Sequence, residues 1–379
     1  MTPYWRLSGY YFLHFGTLGI FLPYWSLYLK SLDFEAGAIG ILSALLVGTK
    51  IISPNIWGWV ADHTGHRVTV IRIGVFLSAV AFTGALFTQS FAGLALVLVL
   101  FGFCWNAALP QVEATTMSHL RDRPHVYPKV RIWGSIGFIL AVWVLGRALE
   151  TQPLILVPWT ILGLTIINAF LTLSLPDQPT EHSDHDSGRL RDVLKRPQVI
   201  AILVVCFLMQ VGHGPYYTFY SIYLEDAGYG VDRIGELWAL GVMAEVVLFM
   251  VMHGLLQRYG LRLLLIVSLA LAALRWWLIG AFVDSLWLLV FAQLLHAASF
   301  GLYHAVGIQL FHQFFPGRLQ GRGQALYSSI SFGAGLSLGS WLSGILWEQI
   351  SPLSTFYMAA IVSLLGIVIT WYWIHPASE

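Results

Sequence analysis

Two carboxylates and three cations stand where the sequence otherwise offers apolar side chains. Glu113 closes the stretch Asn106-Ala-Ala-Leu-Pro110-Gln-Val-Glu113, and Arg131 opens the run Arg131-Ile-Trp-Gly-Ser-Ile-Gly-Phe138. Lys50, Glu245 and Arg275 fall inside further apolar runs. A charge at such depth is expensive, so it is expected to be paired, to face the protein interior, or to line a wet cavity. The chemistry open to such a set is binding of a charged or polar solute and reversible protonation, because desolvation favours the neutral form of a carboxylic acid. Glu113 with Arg131 reads either as a substrate or coupling site or as a structural ion pair fixing one helix to the next. Glu245 reads as a proton carrier or as a permanently paired residue, with Arg275 the partner that topology suggests. Asn106 precedes Glu113 by two helical turns and shares its face.

Residues of this kind must be carried by membrane-spanning helices. The chain has 379 residues, 57% hydrophobic and only 10% charged, against about 25% charged in a soluble domain. Apolar runs of roughly 20 residues recur throughout, each about long enough to cross the hydrocarbon core. They lie near 5–29, 36–61, 68–88, 91–118, 131–149, 154–175, 198–224, 233–257, 262–282, 286–312, 321–348 and 352–374. The class is an all-α polytopic membrane protein with the lipid bilayer as a partner. The net charge of +1 comes from basic residues scattered over short loops, so no nucleic-acid partner is expected. Cys104 and Cys206 both lie in apolar runs, and neither a disulfide framework nor a metal cluster follows from them. The first run carries Pro23-Tyr24-Trp25 where a signal peptide would have a small-residue cleavage site, so it is read as retained. With no phosphate loop, metal-ligand cluster, nucleophile–base arrangement or ATP-hydrolysing motif, an enzyme is not expected.

The longest polar interruption divides the chain into a six-helix half over 1–175, a linker over 176–197 and a second six-helix half over 198–379, as expected for a transporter built from repeats. Within the linker, Glu181-His-Ser-Asp-His-Asp186 reads as a solvated segment rather than a metal site. Leu190-Arg-Asp-Val-Leu-Lys195 reads as a short interfacial helix. In this threading Arg6, Arg67, Arg72, Arg121, Lys129, Arg189, Arg258, Arg262 and Arg318, among others, fall on one side, and only Lys30, Arg147 and Arg233 on the other. The positive-inside rule then puts both termini in the cytoplasm.

Between the second and third runs stands Gly58-Trp-Val-Ala-Asp62-His-Thr-Gly65-His-Arg67. It resembles the signature loop of the major facilitator superfamily, with His63 and His66 where a basic residue is usual. Gly58 is expected to allow close helix contact, Asp62 to meet a helix N-terminus or an arginine, and Gly65 to permit the tight turn. The resemblance implies a cytoplasmic latch made of Gly58, Asp62, Gly65 and Arg67. A degraded copy, Gly254-Leu-Leu-Gln-Arg258-Tyr-Gly260-Leu-Arg262, follows the eighth run without the aspartate.

Further stretches carry a closer likeness. Gly19-Ile-Phe-Leu-Pro23, Gly102-Phe-Cys-Trp-Asn106 through Glu113, and Lys129-Val-Arg131-Ile-Trp-Gly134 resemble the lactose permease group of proton symporters. Gly212-His213-Gly-Pro-Tyr216-Tyr217, Leu237-Trp238 through Glu245, Leu274-Arg275-Trp276 and Leu295-His296 are similar to the phenylpropionate permease. The resemblance implies a twelve-helix major facilitator fold, two six-helix halves with internal inverted repeats working by alternating access. It implies substrate contact at Glu113 and Arg131, and coupling at Glu245, Arg275 and His296. The family pattern breaks at Ser299, where an acid is expected, and in the eleventh run, which has no lysine between Tyr327 and Gly339. Glu113 and Glu245 are then the carboxylates left to carry a proton.

Lys50 reads as a counter-ion for a carboxylate or a contact for an anionic substrate. Tyr11 and His14 in the first run, Gln210, His213 and Tyr217 in the seventh, and Tyr303 in the tenth recur on candidate cavity faces. Such stripes are also ordinary core, and His14, His213 and His304 read simply as hydrogen-bonded interior histidines. His296 is either a coupling or substrate contact or another interior histidine. Small residues four apart, Gly40/Ala44/Gly48 and Gly335/Gly339/Ser343, suit close contacts between moving helices. The expected function is proton-coupled import of a small organic solute across the bacterial cytoplasmic membrane. An aromatic or other small carboxylate is the first candidate, and a sugar or nucleoside the second. The proton is the coupling ion, no other cofactor is expected, and the chain is expected to act as a monomer. A drug-type exporter and a non-transporting receptor are the alternatives.

Overall fold

A chain can cross hydrocarbon only if every backbone N–H and C=O is satisfied within the protein, and a helix does this inside one segment. The computed structural model describes residues 3–177 and 188–374. Twelve long helices lie in them: α1 (Tyr4–Ser31), α2 (Ala36–Thr64), α3 (Arg67–Leu86), α4 (Phe91–His119), α5 (Tyr127–Ala148), α6 (Leu156–Thr172), α7 (Pro197–Asp226), α8 (Val231–Arg258), α9 (Leu261–Ala281), α10 (Leu286–Phe314), α11 (Gln320–Gln349) and α12 (Pro352–Trp373). Ten are long and apolar enough to span a membrane. The others are α1, 28 residues long but rich in tyrosine and glycine, and α6, apolar but only 17 residues long. A short helix, Gly188–Leu194, lies where an interfacial helix is expected. The run Glu181 to Asp186 lies outside the described residues.

Local chemistry sets several helix ends. Ser90 and Ser351 each stand at an N-cap, their hydroxyls accepting from the Gly93 and Ser354 amides at 3.2 Å. Proline occupies the first turn of α5, α7 and α12, where its missing N–H leaves no bond unmade. Gly65 ends α2 in the left-handed region at φ 68° and returns its N–H to the Ala61 carbonyl at 3.0 Å.

The chain folds into two compact units. The first holds residues up to Phe34, those from Leu45 to the linker, and Gly230–Ala239; the second holds Glu35–Ala44, the residues from the linker to Tyr229, and those from Leu240 onward. In the first, α1 packs on α5 and α6, and α3 on α4 and α6; in the second, α7 packs on α11 and α12, and α9 on α10 and α12. One pairing scheme is thus used twice. The repeat extends to α2 and α8, each of which gives its first turns to the other unit. Backbone crossings repeat as well: a Cβ on Gly137 of α5 would strike the Phe12 carbonyl of α1, and one on Gly339 of α11 would strike the Val211 carbonyl of α7. Gly40 approaches the Gly344 backbone so closely that a Cβ on it would lie 3.0 Å from the Gly344 Cα, and Ser337 donates to the Ala44 carbonyl at 2.7 Å. These small-residue contacts let helices meet at backbone distance.

Three helices depart from regular α geometry within their length, and α3 ends in a 3-10 turn at Gly84–Leu86. α2 tightens to a 3-10 turn at Thr49–Ile51, while α10 and α11 widen to π turns at Ala297–Leu302 and Ser328–Gly335. Such bulges are frequent at functional sites.

Candidate functional site

Each unit carries its own polar group. In the first, Thr49 in the 3-10 turn of α2 accepts a hydrogen bond from the Asn106 amide of α4 at 2.8 Å and donates to the Leu46 carbonyl at 2.7 Å. Its neighbour Lys50 makes no hydrogen bond or ion pair with any described residue. His14 of α1, within electrostatic reach of Lys50 and Arg131, stacks on Trp105 with centroids 4.4 Å apart and planes 14° from parallel. Its Nδ1 lies 3.3 Å from the Tyr10 hydroxyl, and the Tyr10 ring lies 5.5 Å away, 18° from parallel. These aromatic rings thus stand within electrostatic reach of an ammonium that has no ion pair among the described residues.

Glu113 and Arg131 come together, but loosely. Nε to Oε1 is 4.0 Å, and the side chains are 33% and 43% exposed for Arg131 and Glu113. The guanidinium sits 4.0 Å above the Phe15 ring and 5.3 Å from that of Tyr11, so aromatic faces take much of its charge. Tyr11 itself reaches the Thr116 hydroxyl at 3.5 Å. A half-exposed pair at this distance adds little to stability.

The second unit places its ionisable groups on α7 to α10. Glu245 Oε2 lies 3.7 Å from His296 Nε2. The approach of α8 to α10 depends on absent side chains: Gly301, in the π turn, faces the Glu245 Cγ, and Gly241 faces Gln293 and His296. The expected Glu245–Arg275 pair does not form. Arg275, fully buried, instead donates from Nη1 to the Ser299 hydroxyl at 3.1 Å and from Nη2 to the Gln293 side-chain oxygen Oε1 at 3.3 Å. Its guanidinium lies 4.1 Å from the Tyr216 ring and 4.5 Å from that of Trp276. The Tyr216 hydroxyl donates to the same Gln293 oxygen at 3.1 Å. The cause is positional: the π turn presents Ser299 to α9, and neutral acceptors hold the cation.

The remaining expected residues divide. His213 gives its Nδ1 to the Met209 carbonyl at 2.7 Å and packs edge-on to Trp276, while its Nε2 is buried without a partner among the described residues. Gln210 is buried with both amide atoms unpartnered, as is His296 Nδ1. Tyr217 stacks on His213 at 5.8 Å. Tyr303 stands apart, its hydroxyl donating to the Cys206 carbonyl at 3.2 Å. In the signature loop, Asp62 pairs with Arg67 of the same loop at 3.6 Å. Gly58 has only Gln111 near its Cβ position, at 3.7 Å, an ordinary contact, so the expected close helix packing there is not seen. Trp105, Tyr10, Phe15 and Gln293 complete the groups and were not singled out by sequence. Their signal was adjacency, since Trp105 precedes Asn106 and Tyr10 lies one turn before His14.

The MFS_1 like family model matches residues 4–358. The chain belongs to that family. An Escherichia coli protein described as a probable 3-phenylpropionic acid transporter is 28% identical over 386 aligned residues, with 95% of each chain covered. A maltose permease of Geobacillus stearothermophilus is 23% identical, covering 95% of this chain and 92% of that one. The solved structure of a point mutant of the nucleoside transporter NupG superposes with a TM-score of 0.88 at 18% identity, over 98% of this chain and all of that one. The fold is therefore the twelve-helix major facilitator fold, and the chain is a membrane-embedded secondary transporter of small molecules, not an enzyme.

Proposed function

We propose that the protein is a proton symporter that imports a small aromatic carboxylate by alternating access. It would act as a monomer in the bacterial cytoplasmic membrane, with both termini in the cytoplasm. The observation that carries this reading is Lys50, an ammonium without an anionic partner among the described residues and within electrostatic reach of the stacked His14 and Trp105. The candidate group of the first unit agrees: Lys50 and Arg131 stand against the single carboxylate of Glu113, so one substrate carboxylate would balance that group. The 3-phenylpropionic acid named for the Escherichia coli relative has this chemistry, an aromatic ring and a carboxylate.

Glu245 and His296 would carry the proton. At 3.7 Å the pair can exist as carboxylate with imidazolium or as carboxylic acid with neutral imidazole. Those two forms are the proton-loaded pair and leave no lone ion at this depth; release of the proton leaves the Glu245 carboxylate beside a neutral imidazole, a costlier state that favours rebinding of a proton. Glu113, loosely held by Arg131, is the second protonation site. The test is uptake of labelled phenylpropionate into proteoliposomes. An inward proton gradient should drive accumulation, and Glu245→Gln should abolish accumulation while leaving equilibrium exchange. Uptake indifferent to the gradient, or unchanged in both Glu245→Gln and Glu113→Gln, overturns the reading. Competition by nucleosides rather than aromatic acids would move the substrate class to that of NupG.

A further inference from the structure

On the outer side of the first unit, α3 and α6 leave an apolar groove of about 550 Å³ that transport does not use. Ala79 and Ala169 are its small residues, while Phe76 and Phe170 stand as walls, 60% and 69% exposed. It runs along α3 from Arg72 to Thr83, about 17 Å at the helical rise. That is roughly half the thickness of a hydrocarbon core, the depth of one leaflet.

One end of the groove is cationic. Arg72 reaches the carboxyl end of α6, donating from Nε to the Thr172 carbonyl at 3.2 Å and from Nη2 to those of Leu173 and Leu175 at 3.2 and 2.9 Å. Its Nη1 has no hydrogen bond to a described residue. Arg6, from α1, donates from Nη1 to Ser174 at the same helix end, at 3.0 Å. Arg72, with an N–H group to spare, therefore stands in the wall at the mouth of an acyl-sized groove, and Arg6 brings a second guanidinium to the same end of α6, on the side where the arginine-rich loops lie. From the groove's length, its apolar walls and this charge at one end only, we infer that it holds one acyl chain of an anionic phospholipid whose phosphate rests on Arg72. A zwitterionic lipid could fill the groove but would gain less from the two cations.

Native mass spectrometry of the detergent-purified chain, titrated in parallel with phosphatidylglycerol and phosphatidylethanolamine, tests this. The wild type should retain phosphatidylglycerol about fivefold better, the worth of one basic residue near an anionic headgroup. Arg72→Gln should bring the two lipids level, and Arg72→Lys should keep the preference. Val80→Trp, at a groove position 55% exposed and far from the α6 carbonyls, should weaken retention of both lipids in a protein that still folds. Equal retention of the two lipids by the wild type overturns the inference. So does a Val80→Trp protein that retains them as the wild type does, or loss of the preference in Arg72→Lys as complete as in Arg72→Gln.

Discussion

Lys50 is the residue on which substrate chemistry turns. A lysine within a membrane helix normally answers a carboxylate, yet the nearby polar partners serve each other: Asn106 bonds Thr49, and Glu113 faces Arg131. An ammonium left over in this way can contribute a charged hydrogen bond to a substrate carboxylate. Such a bond is worth about 1.5–3 kcal/mol, roughly tenfold to a hundredfold in binding. Lys50→Gln should therefore raise the apparent KM for phenylpropionate by that factor, with little change in KM for a neutral aromatic analogue. Equal effects on both solutes in an uptake assay would assign Lys50 a structural role. The misplaced charges were legible in the sequence, because a lysine, a glutamate or an arginine amid leucines needs no structure to be noticed. Their partners were not. Topology suggested Arg275 for Glu245, whereas burial beneath Tyr216 and Trp276 gives Arg275 to Ser299 and Gln293, and leaves Glu245 to His296. Gln293 and Trp105 look like ordinary helix residues until the helices beside them are known.

Helices contribute by where they depart from regularity. The 3-10 turn of α2 holds Lys50, and the π turn of α10 follows directly on His296 and contains Ser299. Twelve spans could be read from hydropathy, since a polar break resets each run. The turns could not, because widening a helix by one residue changes side-chain direction without changing composition. The Glu245–His296 pair rests on such a detail. Gly301, inside the π turn, leaves room for the Glu245 side chain, and a Cβ there would lie 3.1 Å from its Cγ. Overpacking of this size costs about 1–3 kcal/mol unless the neighbour yields, and the neighbour is a side chain able to swing. Gly301→Ala should thus displace the carboxylate from His296 rather than unfold the helix. Proton-driven accumulation should fall about tenfold, with equilibrium exchange and thermal stability nearly unchanged. A parallel fall in accumulation, exchange and stability would show that Gly301 serves packing alone.

At the scale of the molecule, α2 and α8 are the two helices that belong to both units, and each carries a charged residue at the same mid-helix register. Lys50 stands fourteen residues after Ala36, which starts α2, and Glu245 fourteen after Val231, which starts α8. Any movement of one unit relative to the other must pass through these helices, so the seating of their first turns bears on the transport cycle. The α8 turns in the first unit are seated mainly by shape. The Arg147–Glu236 contact, at 3.3 Å, joins side chains 54% and 31% exposed, and such a pair is worth no more than about 1 kcal/mol. Gly235, by contrast, packs directly against the Tyr24 hydroxyl, which donates to the Val142 carbonyl at 2.7 Å. A methyl group at Gly235 would occupy the space of that hydroxyl, and removing the hydroxyl would relieve the main clash, leaving the Val142 carbonyl oxygen 3.1 Å away. Consider a cysteine reporter at Asp232 in a background without Cys104 and Cys206. Gly235→Ala should raise its maleimide labelling rate about tenfold, consistent with about 1–3 kcal/mol of overpacking, and slow transport. Glu236→Gln should raise labelling by about fivefold at most. Adding Tyr24→Phe to Gly235→Ala should return the rate most of the way to the parent value, short of it by the lost bond to Val142, about 0.5–1.5 kcal/mol, and by the remaining 3.1 Å contact with the Val142 carbonyl. If Tyr24→Phe fails to rescue Gly235→Ala, the α8 tip is held by something other than its fit against Tyr24. If Glu236→Gln frees the tip as far as Gly235→Ala does, the ion pair rather than shape keeps α8 in the first unit.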